Sequence, residues 1–165
     1  GAGGLAGENT GNVLRCYVDG KIAGGENCRN MGGLIGINRL GIVEDCYSVV
    51  EIRASEGSSQ NGGLIGCDYM GTVINCYAAG SVSGGGSEFL GALSGRSSEH
   101  ATATSCYFPD TSAGGSPGGG AGTPVTVEEM TQQATFVDWD FRNVWTLCEG
   151  KGYPRLRWEE IDCTE

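Results

Sequence analysis

Gly32-Gly33-Leu34-Ile35-Gly36-Ile37-Asn38-Arg39-Leu40-Gly41-Ile42-Val43-Glu44-Asp45-Cys46-Tyr47-Ser48 decides the fold of this chain, because the chain writes it repeatedly. Thirty residues on stand Gly62-Gly63-Leu64-Ile65-Gly66 and Gly71-Thr72-Val73-Ile74-Asn75-Cys76-Tyr77. One copy earlier come Gly3-Gly4-Leu5-Ala6-Gly7 and Gly11-Asn12-Val13-Leu14-Arg15-Cys16-Tyr17, and a degraded fourth copy reads Gly91-Ala92-Leu93-Ser94-Gly95 and Ser105-Cys106-Tyr107. The Cys-Tyr pair falls at 16, 46, 76 and 106, and the leucine at 5, 34, 64 and 93. A fixed period in the range of about 20 to 50 residues marks a stacked array.

Each copy reads as three short extended pieces: the Gly-Gly-Leu-Ile-Gly segment, the run from the Gly before Val through Cys-Tyr, and a piece centred on Ile22, Ile52 or Val82. Pieces this short, separated by Gly, Asn, Ser and Asp, suit strands and tight turns. A glycine-rich piece cannot order itself alone, but it can if each strand pairs with its counterpart in the next copy. The expected fold is therefore all-β, a parallel β-solenoid of about four 30-residue coils with rungs roughly 4.8 Å apart. Crossover chirality favours the right-handed form. Leu5, Leu34, Leu64 and Leu93 form one interior row, Val13, Val43 and Val73 a second, Ile22, Ile52 and Val82 a third, and Cys16, Cys46, Cys76 and Cys106 a buried thiol row. Glycines at fixed phase (Gly7, Gly36, Gly66 and Gly95; Gly11, Gly41 and Gly71) are expected at corners needing positive φ or close approach.

The pattern Gly-Gly-Leu-Ile-Gly followed by Gly-x-Val-x-x-Cys-Tyr-Ser resembles the GLUG repeat of large bacterial surface proteins, adhesins and the non-catalytic region of certain immunoglobulin-A-cleaving proteases. The resemblance continues through Cys106-Tyr107-Phe108-Pro109-Asp110-Thr111, a Gly-rich run, Thr126-Val127-Glu128-Glu129-Met130, Thr135 to Phe141, Val144-Trp145 and Tyr153 to Trp158, which look like the segment closing such arrays. It implies an architecture and says little about a ligand. The expected divisions are 1–110 repeats, 111–124 a Gly/Pro-rich connection and 125–165 a cap, with a short helix capped by Thr126, carrying Glu128 and Glu129 in its first turn and ending near Gln133.

A net charge of −10 and a pI near 4.5 oppose nucleic-acid binding, which needs a basic surface. No apolar run is long enough to span a membrane. The chain begins with Gly and shows no signal peptide, so a processed protein or an excised piece is expected. Eight cysteines without a Cys-x-x-Cys pair, and a single His, disfavour zinc. The ladder thiols stand close enough in adjacent rungs that some could bond, Cys28 and Cys67 are off-period and could clip a loop to a neighbouring rung, and Cys148 with Cys163 is the best single disulfide.

Phe136, Trp139, Phe141, Trp145, Tyr153 and Trp158 read first as a cap over the last rung and second as a sugar-stacking platform. Tyr17, Tyr47, Tyr77 and Tyr107 stack at one phase, as a ladder supporting a corner or as a contact stripe. His100, in a polar loop and without a nucleophile elbow near it, reads as a surface residue, and Asp138 with Asp140 falls short of a calcium site. No cofactor, metal or catalytic cluster is called for. The expected function is a non-enzymatic, extracellular or cell-surface structural module whose first coil offers an unpaired edge. That edge takes preceding repeats of a longer chain, as in a stalk or adhesin, or another copy head-to-tail, as in a filament. The alternative is a carbohydrate-binding module meeting surface glycans through the cap aromatics or the tyrosine stripe.

Overall fold

The computed structural model describes residues 1–84, 89–111 and 122–164. They form the expected β-solenoid: parallel sheets run along the stack, and equivalent residues of successive coils pair. Val13 pairs with Val43, Val43 with Val73 and Val73 with Ala103. Tyr17, Tyr47, Tyr77 and Tyr107 align in the same way. Leu34 donates its amide to Leu64 O at 2.9 Å, and Leu64 to Leu93 O at 2.9 Å.

Each coil contributes to four sheets, where three extended pieces were expected. Sheet A holds Ala2–Gly3, Met31–Gly32, Asn61–Gly62 and Leu90–Gly91. Sheet B holds Ala6–Asn9, Ile35–Arg39, Ile65–Tyr69 and Ser94–Ser97. Sheet C holds Asn12–Leu14, Ile42–Glu44, Thr72–Ile74 and Thr102–Thr104. Sheet D holds Tyr17–Ala23, Tyr47–Ala54, the pair Tyr77–Ala78 and Val82–Gly84, then Tyr107–Pro109 and Thr123–Val125. The Gly-Gly-Leu-Ile-Gly segment is thus a corner between sheets A and B. A Cβ at Gly32, Gly62 or Gly91 would strike the carbonyl oxygen of Ile35, Ile65 or Ser94, so glycine is what allows these two layers to fold tightly on each other.

The left-handed corners themselves fall on other residue types. Arg15, Asp45, Asn75 and Ser105 all lie at φ between 49° and 52°, breaking the run between sheets C and D immediately before each cysteine. Leu40 (φ 56°) and Met70 (φ 57°) turn the chain between sheets B and C. A bulky side chain in this region is strained unless the surroundings hold it. Here the amides of Arg15, Asp45 and Asn75 each bond the carbonyl two residues before the next cysteine, at 3.0 to 3.1 Å. Of the two roles expected for the periodic glycines, positive φ is found at none of them, and close approach holds where a coil lies alongside: a Cβ on Gly71 would run into Asn38 and Asp68, whereas one on Gly11 would meet none of the described residues.

The interior divides in two. Leu34, Leu64, Leu93, Val43, Val73 and the buried thiols of Cys46, Cys76 and Cys106 make the main core, with Val13 and Cys16 at its rim. Ile52 and Val82 belong to a smaller cluster with Met31, Val50 and Ala54, and Ile22 packs against it, so the third apolar row stands apart from the other two. Leu5 keeps its phase, its amide bonding Leu34 O at 2.9 Å, yet it is 47 % exposed because no coil lies above it in this structure.

Several C-terminal expectations shift. Residues 112–121 of the Gly/Pro-rich connection, and residues 85–88, lie outside the described residues. Thr123–Val125 extends sheet D by pairing with Tyr107–Pro109. Thr126 and Glu129 cap each other reciprocally, the Glu129 amide to Thr126 Oγ1 at 3.1 Å and the Thr126 amide to Glu129 Oε2 at 2.8 Å, but the turns that follow are two short 3-10 segments, Glu129–Thr131 and Gln133–Thr135. Arg96 and Ser97 continue sheet B, while His100 sits on an exposed turn beside Glu99. Asp138 and Asp140 do not share a strand face: Asp138 is left-handed, and Asp140 accepts from the amides of Arg142 and Asn143.

Candidate functional site

The outward face of sheet D begins, in every coil, with a tyrosine. The rings of Tyr17, Tyr47 and Tyr77 stack face to face with centroids 4.8 Å apart and planes within 4°. An outward column of aromatics would expose a broad apolar stripe, but the C-terminal segment lies along it. Tyr47 and Tyr77 are fully buried and Tyr107 nearly so. The ladder therefore carries an intramolecular contact, and the stripe expected to meet a partner is covered.

That contact also relocates the cap. It runs down the flank of the stack from the fourth coil to the first and does not merely sit over the last rung. Trp139 Nε1 donates to Ser105 O at 2.8 Å, Trp145 Nε1 to the Asp45 carboxylate at 3.2 Å, and Trp158 Nε1 to Arg15 O at 3.2 Å. All three indoles address the same left-handed corner, in the fourth, second and first coils. The tyrosine hydroxyls are addressed too. Tyr107 Oη accepts from the Val137 amide at 3.3 Å, Tyr77 Oη donates to Pro154 O at 2.8 Å, and Tyr47 Oη donates to both oxygens of Glu159 at 2.8 Å. Burial, then the Glu159 contact, hold the Tyr47 phenol well above its ordinary range. Arg155 closes the group, donating to Tyr47 Oη at 3.0 Å and pairing with Glu159.

Between rings the indoles sit as wedges. Trp139 lies 6.3 Å from Tyr77 and 6.1 Å from Tyr107, and Trp145 lies 6.2 Å from Tyr47 and 6.3 Å from Tyr77. Trp158 lies 5.5 Å from Tyr17 and is 58 % exposed. Of the residues considered for sugar stacking, Phe136, Trp139 and Trp145 have their faces buried, Phe141 and Tyr153 are partly buried, and Trp158 alone among the six is exposed. The tail of this strap is closed by the expected Cys148–Cys163 disulfide.

Two polar columns run inside the stack. Each ladder thiol donates to the carbonyl two residues before it, Cys46 to Glu44 O at 3.1 Å and Cys76 to Ile74 O at 3.1 Å. The Cys46 and Cys76 thiols also accept the cysteine amide of the coil before, Cys16 N to Cys46 Sγ and Cys46 N to Cys76 Sγ, both at 3.4 Å. The thiols thus satisfy backbone groups as free thiols, and no ladder pair is bonded. Cys28 and Cys67 are free as well, and Cys67 stands in sheet B between Ile37 and Arg96, so neither clips a loop.

The second column escaped the sequence reading. Asn9 Nδ2 donates to Asn38 Oδ1 at 2.9 Å, and Asn38 Nδ2 to Asp68 Oδ1 at 3.1 Å, at the turn between sheets B and C. Its signal was present: positions 9, 38 and 68 each follow the row leucine by four. Asp68 is 2 % exposed, and burial pushes its carboxyl up to about 6 against the pull of its bonds from Asn38 and Gly71.

At the first coil the apolar, thiol and tyrosine columns end on an open side, while Asn9, at the end of the asparagine column, stays buried. Leu5 and Leu14 are exposed, and Val13, Cys16, Tyr17 and Ile22 are partly buried, whereas Leu34, Val43, Cys46, Tyr47 and Ile52 in the second coil are fully buried. Strand Tyr17–Ala23 pairs along its length with Tyr47–Ala54, and within the described residues it has no strand on its other side. Among the described residues no group of three or more His, Cys, Asp or Glu could hold a metal ion, and no helix is long and apolar enough to cross a membrane. No family model, curated protein or solved structure matches this chain.

Proposed function

We propose that this chain is a non-enzymatic structural module, a rigid β-solenoid segment of an extracellular surface stalk or adhesin of the GLUG-repeat kind, joined to its neighbour through the face of its first coil. One observation carries the reading. The first coil presents, in phase, the residue types that the second coil buries completely, along an edge with unpaired backbone groups. An uncovered coil of this kind is a joint for another coil. The disulfide in the strap suits an oxidising compartment.

The head-to-tail filament is the weaker form of this reading. It requires the first coil of one copy to seat on the fourth coil of another, where Thr123–Val125 already occupies the next position in sheet D. Glycan binding is left with Trp158 beside Tyr17, since the other two indoles are covered. The test is to join one further coil ahead of the first and measure equilibrium unfolding and sedimentation. The expected result is a more stable monomer. An extended chain no more stable than the parent would rule out the first-coil face as a joint, and glycan-array binding lost in W158A would favour the carbohydrate reading.

A further inference from the structure

Trp158 occupies the same kind of position as Trp139 and Trp145 but has only half of its surroundings. Trp139 donates to a backbone oxygen at the corner of the fourth coil and lies between the tyrosines of the third and fourth coils. Trp145 bonds the corner of the second coil and lies between the tyrosines of the second and third. Trp158 bonds the corner of the first coil and meets Tyr17. Its remaining surface, more than half of the residue, is exposed, and no second tyrosine of the column meets it.

Resting on the reading above, we propose that Trp158, Cys16 and Asn9 together form a receptor for one kind of coil: a further copy of this 30-residue repeat, joined ahead of the first coil, with tyrosine, cysteine and asparagine at the corresponding phases. The polarity of the two inner columns sets the chemistry. In the asparagine column the donor belongs to the coil nearer the first and the acceptor to the next, Asn9 to Asn38 and Asn38 to Asp68; the Cys16 amide reaches the Cys46 thiol in the same sense, while the Cys46 thiol points back to Val13 O at 3.5 Å. The first coil accordingly turns acceptors, Asn9 Oδ1 and Cys16 Sγ, toward whatever precedes it, although Asn9 Oδ1 already accepts the Gly11 amide at 3.1 Å and has one lone pair left to give. An incoming side-chain amide can use that lone pair, whereas an incoming carboxylate sets two acceptors against each other in a buried turn. Asp68 is held in the third coil by the Asn38 amide, and Ser97, its register partner in the fourth, is uncharged and bonds Ser94 Oγ. An incoming tyrosine stacks on Tyr17 at the 4.8 Å repeat and completes the wedge around Trp158. The fourth coil of a second copy is disfavoured as the occupant because Thr123–Val125 stands on it.

The experiment adds a coil to the full chain: a copy of residues 31–60 joined ahead of Ala2, the phase set by the pairing of Ala2 with Met31. Acrylamide quenching of tryptophan emission is read on the parent, the extended chain and their W158F forms, whose difference isolates Trp158. Trp158 is expected to be freely quenched in the parent and protected in the extended chain. Protection is expected to be lost when the added tyrosine is replaced by alanine, and the added stability to fall when the added asparagine is replaced by aspartate. An extended chain that gains stability while Trp158 stays equally quenched overturns this inference and leaves the proposed joint standing. A chain that gains no stability overturns both. A form with two added copies, whose outer coil shields the inner, repeats the reading should a single added coil fray. Protection of Trp158 in the parent that grows with protein concentration and tracks sedimentation would replace the joined coil with a second copy as the occupant.

Discussion

The two ends of the stack are built from the same residues and behave differently. Leu5 and Leu93 hold the same phase, yet the first is 47 % exposed and the second 2 %. Cys16 is partly buried and Cys106 almost wholly so. At the far end Thr123–Val125 adds a strand to sheet D, and Gly122 lies against Leu93 and Phe108. At the near end Trp158 meets Tyr17 and is itself more than half exposed. In a quasi-one-dimensional array a residue stabilises by virtue of what lies above and below it, so identity without a neighbour is worth little.

The sharpest way to break this contrast is through the strap. Trp145, fully buried between two tyrosines, should cost about 3–5 kcal/mol when changed to alanine, and W158A well under half of that, as read by urea unfolding. Equal costs would mean that exposure does not track contribution. Next in size, Leu34→Ala should cost about 2–4 kcal/mol and Leu5→Ala less than about 1. The same pair in a chain with an added coil should converge, which tests the neighbour directly.

The disulfide closes a 15-residue separation, and replacing both cysteines by serine should cost about 2–3 kcal/mol through the freed chain. Hydrogen exchange should place the loss in the strap, with little change in the amides of Leu34 and Leu64. The smallest effect is a gain, from Asp68→Asn. The folded carboxyl, pushed up to about 6, holds its proton more tightly than the unfolded one, which ionises near the usual value of about 4. Stability therefore falls as pH rises from about 4 through about 6, and the penalty is complete above that. Asp68→Asn should be stabilising by about 1–2 kcal/mol at pH 8 and neutral at pH 4, in urea melts across that range. A gain independent of pH would mean that the carboxyl is not the source.

Period and phase made the solenoid legible, because leucine, valine and cysteine recurring at one spacing leave stacking as the economical way to bury them. The split into four sheets was hidden for a local reason. Its corners use Arg15, Asp45, Asn75 and Ser105, types with no common turn signature, the first three held left-handed by bonds to the next coil. The path of the strap was hidden for a global one. Trp145 meets Asp45 across 100 residues of chain, and composition announces such aromatics as buried without saying against what. The asparagine column was legible and went unread, since a polar residue at a fixed phase looks like a turn until its bonds are traced upward.

The descending order of the indole contacts has a mechanical consequence. Once the Cys148–Cys163 disulfide is reduced, tension on the strap beyond Glu159 would load one attachment at a time, first Tyr47 with Glu159, then Arg15 with Trp158, then Tyr77 with Pro154. Such a fastening opens like a zipper, at low force and in steps. Tension entering through the sheets spreads instead over whole rows of parallel backbone bonds sheared together, so a tether built from such coils should be stiff along its axis and yield first at its flank.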